Sequence, residues 1–583
     1  MREVINQFRH ILSKEQKKEL VGLFFLTLLG GVLETFSISV IIPYISVITN
    51  FGKLSEYSWG RWIMERFPGV GERQLLLYMT IGLMLAFLLK NIYLYILAIV
   101  QHHFAVKNYY LSSNKLFRIY INKPYSFFVD HSTSEIITII TQYISRCFAM
   151  LQTLLALGTE AVVLVLLMLV LLIMNWKITV LTVVLVGGTS LIIRKPLAKK
   201  LSHVGDESNH QYMKMLQAVK QSFEGIKEIK IMNREEAFLH VYEKAGRENI
   251  RLEIEKTKYS AAPSKIVETI TVWSVLLFVF ILLFTNADMS NLFTQLTAMG
   301  LVVIRLTPCM NRINHHLSMI SFYKPSVKKL SSDIQEYLKE NVTEVKEKDE
   351  SRISFEDSIR AENLTFSYPG TDVNVLQNVS FEIKKGERVG IIGASGNGKT
   401  TLVDLLMGYW KPTDGKIVVD GQDIHENLSG WMNHIGYIPQ MIFMLNGSIF
   451  ENVAFGYPEA TEEDVMNALR QAQLDEFVKG LPEGVHTVIG EKGIRLSGGQ
   501  RQRIGIARTL FQNPDVLIFD EATSALDTEL ESEITEAIYQ ISKEKTIIMI
   551  AHRHSTLREC DYILEVENER VTKKSTKSVC EEK

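Results

Sequence analysis

The sequence predicts an all-α transmembrane domain of six spanning helices, with long intracellular helix extensions, fused to an α/β nucleotide-binding domain of the P-loop class. Two observations carry this expectation. Long apolar runs are concentrated before about Phe322, and a strand, glycine-rich loop and helix pattern surrounds residues 393–400 in the more polar remainder. A length of 583 residues exceeds what one hydrophobic core supports, so at least two domains are required. The expected boundaries are 1–324 for the membrane part, 325–357 for a charged linker rich in Lys, Glu, Ser and Asp, and 358–583 for the nucleotide-binding part.

Six apolar segments have the length and composition to cross a hydrocarbon core, which takes roughly 20 helical residues. They lie at 20–48, 75–101, 147–174, 178–193, 263–284 and 292–322. The fourth is short, and Asn175-Trp176-Lys177 breaks it from the third. Arg2, Arg9, Lys14, Lys17 and Lys18 precede the first span and belong inside. That first run is too long for a secretory signal and lacks a small-residue cleavage site. Counting spans then places two further basic connections inside, one carrying Lys107, Lys115, Arg118 and Lys123, the other Arg194, Lys195, Lys199 and Lys200. The expected location is the inner, cytoplasmic membrane, with the nucleotide-binding domain in the cytoplasm. Both connections carry helical patterning, so the helices are expected to run on beyond the bilayer. Short crosswise elements are expected at 124–128 and 225–230, where an ordinary amphipathic helix is the plainer reading. Between the first two spans, Trp59, Trp62, Ile63 and Phe67 share a helical face that suits a membrane interface, although Arg66 interrupts it.

The formal net charge of −2 predicts no nucleic-acid partner. Cys147, Cys309, Cys560 and Cys580 show no metal-binding spacing and read as packed or solvated thiols.

The chemistry lies in the last third of the chain. Gly393-Ala394-Ser395-Gly396-Asn397-Gly398-Lys399-Thr400 is a full phosphate-cradling loop between an apolar strand pattern at 389–392 and a helical pattern that begins at Thr401. Backbone N–H groups of Gly393, Ser395, Gly396, Asn397 and Gly398, with the helix N-terminus, suit phosphate; Lys399 suits the β- and γ-oxygens and Thr400 a Mg²⁺ ion. A second apolar strand, 516–519, ends in Asp520, a further Mg²⁺ ligand by the same logic, followed by Glu521.

Downstream of the loop stands Leu496-Ser497-Gly498-Gly499-Gln500. With this signature the chain resembles the ATP-binding-cassette superfamily, in particular its exporter-type half-transporters. The resemblance implies ATP and Mg²⁺ as cofactors and catalysis by Glu521, Gln440 and His552. It implies adenine stacking by Tyr368, Mg²⁺ contact from Gln440, and completion of each site by Ser497, Gly498, Gly499 and Gln500 of a second copy. The partner is therefore a second identical chain. Residues 487–493 and 524–527 resemble the loops through which such proteins couple their domains and sites, and 124–128 and 225–230 resemble their coupling helices. His554 stands where the family usually has an aliphatic residue and is given no role.

The cargo is argued from the spans. Lys90, Lys265, Arg305 and Arg312 are candidates to meet an anionic substrate, since ionisable residues in spans are costly to keep. Glu34, Glu160 and Glu268 stand ready to neutralise them, and Lys265 and Glu268 are at i, i+3 spacing. The pattern resembles bacterial flippases of lipid-linked oligosaccharides, which move a polyprenyl-pyrophosphate glycan from the inner to the outer leaflet for protein glycosylation. A multidrug or general lipid exporter with the same engine is the alternative. A soluble ATPase of the superfamily is excluded by the six apolar segments, and the intact site argues against a channel or regulator.

Overall fold

In the computed structural model, residues 2–49, 51–66, 70–174, 176, 179–180, 183–284, 292–339, 353–521, 545–551 and 557–581 are described. The chain divides into two compact units, Met1–Lys123 with Phe127–Val342, and Pro124–Ser126 with Thr343–Lys583.

The first unit is helical: α1 (Arg2–Ile11), α2 (Lys14–Thr49), α3 (Ser58–Arg66), α4 (Glu72–Ile121), α5 (Tyr125–Asp130), α6 (Thr133–Thr138), α7 (Ile144–Met174), α8 (Gly188–Glu224), α9 (Ile226–Met232), α10 (Glu235–Phe284) and α11 (Leu292–Lys339). Helices α4 and α10 each have 50 residues. At 1.5 Å per residue that is about 75 Å, more than twice the hydrocarbon thickness, so they necessarily extend beyond the membrane. Among the described residues, three stretches are long and apolar enough to cross a membrane: 14–36, 72–121 and 133–169. The other expected segments are helical wherever they are described. The short helices α5 and α9 fall where crosswise elements are expected; α9 ends on Asn233, whose left-handed φ of 51° is one that Asn tolerates.

One expectation changes. Composition predicts a linker over 325–357, but α11 continues to Lys339, with Val327 and Leu330 fully buried in one core with Phe104, Ile144 and Phe148. Charge-rich composition concealed an apolar stripe of helical period. The face expected on α3 is also divided: Ile63 packs with Val47, Leu54 and Leu75, whereas Trp62 is 65% exposed and Trp59 stacks on Tyr57. Phe67 lies outside the described residues.

Helices α7, α8, α10 and α11 meet around Arg146. Its guanidinium donates to Gly205 O at 3.2 Å, Asn209 Oδ1 at 2.5 Å and Ser208 Oγ at 3.0 Å, and lies over the Phe322 ring. Gly205 permits this approach, since a Cβ there would sit 2.0 Å from Phe322 O. Asn209 Nδ2 then donates to Ser326 Oγ at 2.9 Å.

The second unit contains β1 (Ser358–Ser367), β2 (Asn374–Lys384), β3 (Arg388–Ile392), β4 (Asp414–Val419), β5 (Gln422–Asp423), β6 (Ile435–Ile438), β7 (Val516–Asp520), β8 (Thr546–Ile550), β9 (Tyr562–Glu567) and β10 (Arg570–Lys574). Its helices are α12 (Lys399–Leu406), α13 (Leu428–Met432), α14 (Ile449–Ala454), α15 (Glu462–Gln471), α16 (Asp475–Lys479), α17 (Gly498–Phe511) and α18 (Thr576–Glu581). One sheet is antiparallel, β2-β1-β4-β5; the other runs β10-β9-β3-β8-β7-β6 and is parallel except for the β10 edge. Strand β7 shows why its run is continuously apolar. Val516 and Ile518 enter one core with Ile391 and Trp431, while Leu517 and Phe519 enter another with Val465 and Ile504. A strand buried on both faces needs no alternation. Because β3, β6, β7 and β8 are parallel, their carboxyl ends share one edge, where ligands of such sheets bind. Tyr125, grouped with this unit, stacks on Tyr409 with centroids 5.0 Å apart.

Candidate functional site

The loop after β3 is shaped by its glycines. Gly393 (φ 154°) would place a Cβ 2.4 Å from Val566 O, and Gly398 (φ 95°) one 2.8 Å from Val375 Cγ1. No side chain fits at either position, so the backbone turns tightly and presents its N–H groups at the start of α12. Asn397 fixes the loop by donating to Val566 O at 3.2 Å. Lys399 is buried, and its Nζ donates to Gly393 O and Ala394 O at 2.9 and 3.1 Å, which holds the ammonium over the loop. Thr400 is exposed and Thr401 is buried. The hydroxyl of Thr401 meets that of Tyr368 at 2.8 Å, and the Tyr368 ring is held edge-on by Phe366 and Trp410.

At the ends of the neighbouring strands, Asp520 Oδ2 accepts from the Tyr437 hydroxyl at 3.1 Å, and Gln440 Nε2 donates to Glu521 Oε2 at 2.8 Å. Glu521 holds a left-handed φ of 48°, an unfavourable conformation for Glu that turns its carboxylate to the strand end. Burial raises the Asp520 carboxyl above the usual range; the Tyr437 bond opposes this, Glu521 adds to it and Lys399 opposes it again. Thr400, Asp520 and Gln440 offer a hydroxyl, a carboxylate and an amide oxygen. These are hard donors that suit Mg²⁺, an ion that keeps waters and phosphate oxygens as its remaining ligands.

Asp404 was not among the expected site residues. Its carboxyl is pushed up to about 6, first by burial and then by the charge of Asp520. The available signal was spacing: Asp404 stands four residues after Thr400, on the same helical face.

Ser497 caps α17. Its Oγ accepts from Gln500 N at 3.2 Å and Gln500 Oε1 accepts from Ser497 N at 2.9 Å, a reciprocal capping box. Ser497 and Gly498 are exposed while Gly499 is buried, so α17 presents its N-terminus outward. His552 and residues 524–527 lie outside the described residues.

Three of the candidate substrate cations have described partners. Arg312 Nε bonds Glu160 Oε1 at 2.5 Å, with Nη2 3.6 Å from Glu34 Oε1. Lys265 Nζ lies 3.2 Å from Glu268 Oε2, and Lys90 Nζ sits 5.1 Å over the Phe87 ring. The Arg305 side chain lies outside those described. Carboxylate pairing, one of the two readings left open by the sequence, therefore holds for Arg312 and Lys265.

The family model described as ABC transporter matches residues 376–524, and that for the ABC transporter transmembrane region matches 20–305. An ATP-dependent lipid A-core flippase of Aromatoleum aromaticum is 30% identical over 483 residues, covering 79% of this chain and 76% of that protein. The chain belongs to the ABC transporter family. Like other members it is an ATP-hydrolysing membrane transporter, and its one membrane region and one cassette make it a half-transporter of exporter type. The flippase of the same description from Escherichia coli K12 is 28% identical over 94% of this ABC transporter and 90% of its own length. A structure described as a bacterial Atm1-family ABC exporter with ATP bound superposes with TM-score 0.75 over 97% of the chain and 96% of its own, at 23% identity. That likeness establishes the fold.

Proposed function

We propose that two copies of this chain form a homodimer in the inner membrane that uses ATP to flip a lipid from the inner to the outer leaflet, with the nucleotide-binding domains in the cytoplasm. The observation that carries the reading is the similarity to lipid A-core flippases along both halves of the chain. In the proposed cycle, the 393–398 N–H groups and Lys399 hold the ATP phosphates, and Tyr368 takes the adenine. Thr400, Asp520 and Gln440 would hold Mg²⁺, which when bound supplies charge neutralisation on the phosphate oxygens. Glu521, held by Gln440, orients the attacking water and takes its proton. His552 contacts the γ-phosphate. The outward N-terminus of α17 brings Ser497 and the following N–H groups of one copy to the γ-phosphate on the other. One cassette per chain then yields two equivalent sites per dimer.

For the cargo, the finer reading is a polyprenyl-pyrophosphate-linked oligosaccharide used in protein glycosylation, as the pattern in the spans suggests. Its test is ATP-dependent translocation in proteoliposomes of a pyrophosphate-linked glycolipid, a zwitterionic lipid and a cationic drug. Preferential movement of the first is expected. Equal transport of the zwitterionic lipid would leave a general lipid flippase, and transport of the drug alone would replace the reading with multidrug export.

A further inference from the structure

Beyond presenting Ser497 at its start, α17 grips the segment 436–445 with its far end. That segment carries Tyr437 and Gln440, the partners of Asp520 and Glu521. A Cβ on Gly505 would sit 2.6 Å from Ile442 Cδ1, and one on Gly436 2.4 Å from Thr509 Cγ2, so helix and segment touch closely. The Thr509 hydroxyl also donates to Tyr437 O at 3.4 Å.

Arg508 supplies the polar part of the grip. Its Nη1 donates to Phe443 O at 2.8 Å and its Nε to Asn452 O at 2.7 Å, with Nη2 3.2 Å from Asn452 Oδ1. Asn452 is fully buried and bonds onward to the same segment: its Oδ1 accepts from Leu445 N at 2.8 Å and its Nδ2 donates to Leu445 O at 3.1 Å. Among the described residues no carboxylate pairs with Arg508, and burial brings its guanidinium down to about 10. Carbonyl and amide oxygens carry the charge instead, with the Phe455 ring 4.2 Å away. A half-buried charge without a counter-ion is costly where only space needs filling. A planar fork, by contrast, is the group that can hold two backbone carbonyls and an amide together.

We propose that Arg508 is a positioning residue for ATP hydrolysis: it fixes Gln440, and through it the Glu521 carboxylate, to the helix whose start serves the other ATP site of a dimer. The cross-site part rests on the homodimer reading. In that dimer α17 of one chain faces the partner's γ-phosphate, while its far end sets the water-orienting carboxylate of its own site. Filling one site is thereby felt at the base of the other.

The test measures phosphate release by the full-length protein in nanodiscs, with thermal unfolding alongside. Arg508→Lys keeps the charge and loses the fork. It is expected to lower kcat about tenfold at a nearly constant KM for ATP, since the 393–400 loop and Tyr368 are untouched. In a Gln440→Ala background the same change is expected to cost nothing further, because the route through Gln440 is already cut. Unchanged kcat in the first case, or losses that multiply in the second, overturns the proposal. Should Arg508→Lys fail to fold, Thr509→Val takes its place: a loss of about threefold in kcat is expected, again absent from Gln440→Ala, and no loss overturns the proposal. Mixed dimers test the link between sites. With Glu521→Gln on one copy, only the partner's site turns over. Arg508→Lys on the active copy is expected to slow it, and on the Glu521→Gln copy to spare it; equal slowing in both would make Arg508 a support of α17 and overturn the proposal. Full turnover with Ser497→Ala added to the Glu521→Gln copy sinks the homodimer reading, while the Gln440→Ala comparison still tests Arg508 alone.

Discussion

Glu521 and Gln440 are 81 residues apart in sequence and 2.8 Å apart in space, which makes the Glu521 carboxylate a placed group rather than a mobile one. Glu521→Gln keeps the shape and removes the base, so ATP turnover in a phosphate-release assay is expected to vanish while ATP-induced dimerisation persists. A second carboxylate, Asp420, has a purely structural task. It accepts from the backbone N–H groups of Glu356, Asp357 and Ser358 at 2.5, 3.0 and 2.9 Å, where the nucleotide-binding unit begins. Burial raises its carboxyl, but the three N–H bonds outweigh that and bring it below the usual range. Its stabilisation is therefore present above the unfolded carboxylate pKa and lost as pH falls through the lower folded value. Asp420→Ala is expected to cost about 1–2 kcal/mol in thermal unfolding at neutral pH, and less under acid. The residues of the loop, Asp520, Glu521 and Gln440 were legible in sequence because each follows a short apolar strand, and parallel strands bring their ends together. Asp404 was less so, since its meeting with Asp520 depends on how α12 lies against β7. The pairing of Arg312 with Glu160, 152 positions away, depends likewise on which helix faces meet.

Helices α8 and α11 approach closely at Gly205 and Phe322. Gly205→Val is expected to part them and lower the thermal midpoint, at a cost of about 2 kcal/mol, with loss of the Arg146 bonds to Gly205, Ser208 and Asn209. Helix α17 offers the complementary case. Ser497→Ala removes a cap worth about 1 kcal/mol, while the proposed role at a partner's γ-phosphate predicts a far larger loss of ATPase activity than of stability. Element positions were readable where apolar period was strong, as in the six segments and in β7. They were misread where charge masked a stripe, as at Val327 and Leu330, which belong to α11 rather than to a solvated linker.

At the scale of the whole molecule, the two halves of the catalytic machinery point to a second chain. Lys399 and Asp520 face the shared edge of the parallel sheet, while Ser497 bonds Gln500 at an outward helix start. One cassette per chain supplies one of each, so in the proposed homodimer a head-to-tail pairing of two chains would complete two sites. The most direct measurement mixes one copy carrying Ser395→Cys with another carrying Ser497→Cys and oxidises them with ATP present. The account predicts a disulfide-linked dimer that forms from the mixture, requires ATP and is absent from either variant alone. No linked dimer from the mixture, at ATP concentrations that support turnover, would contradict it.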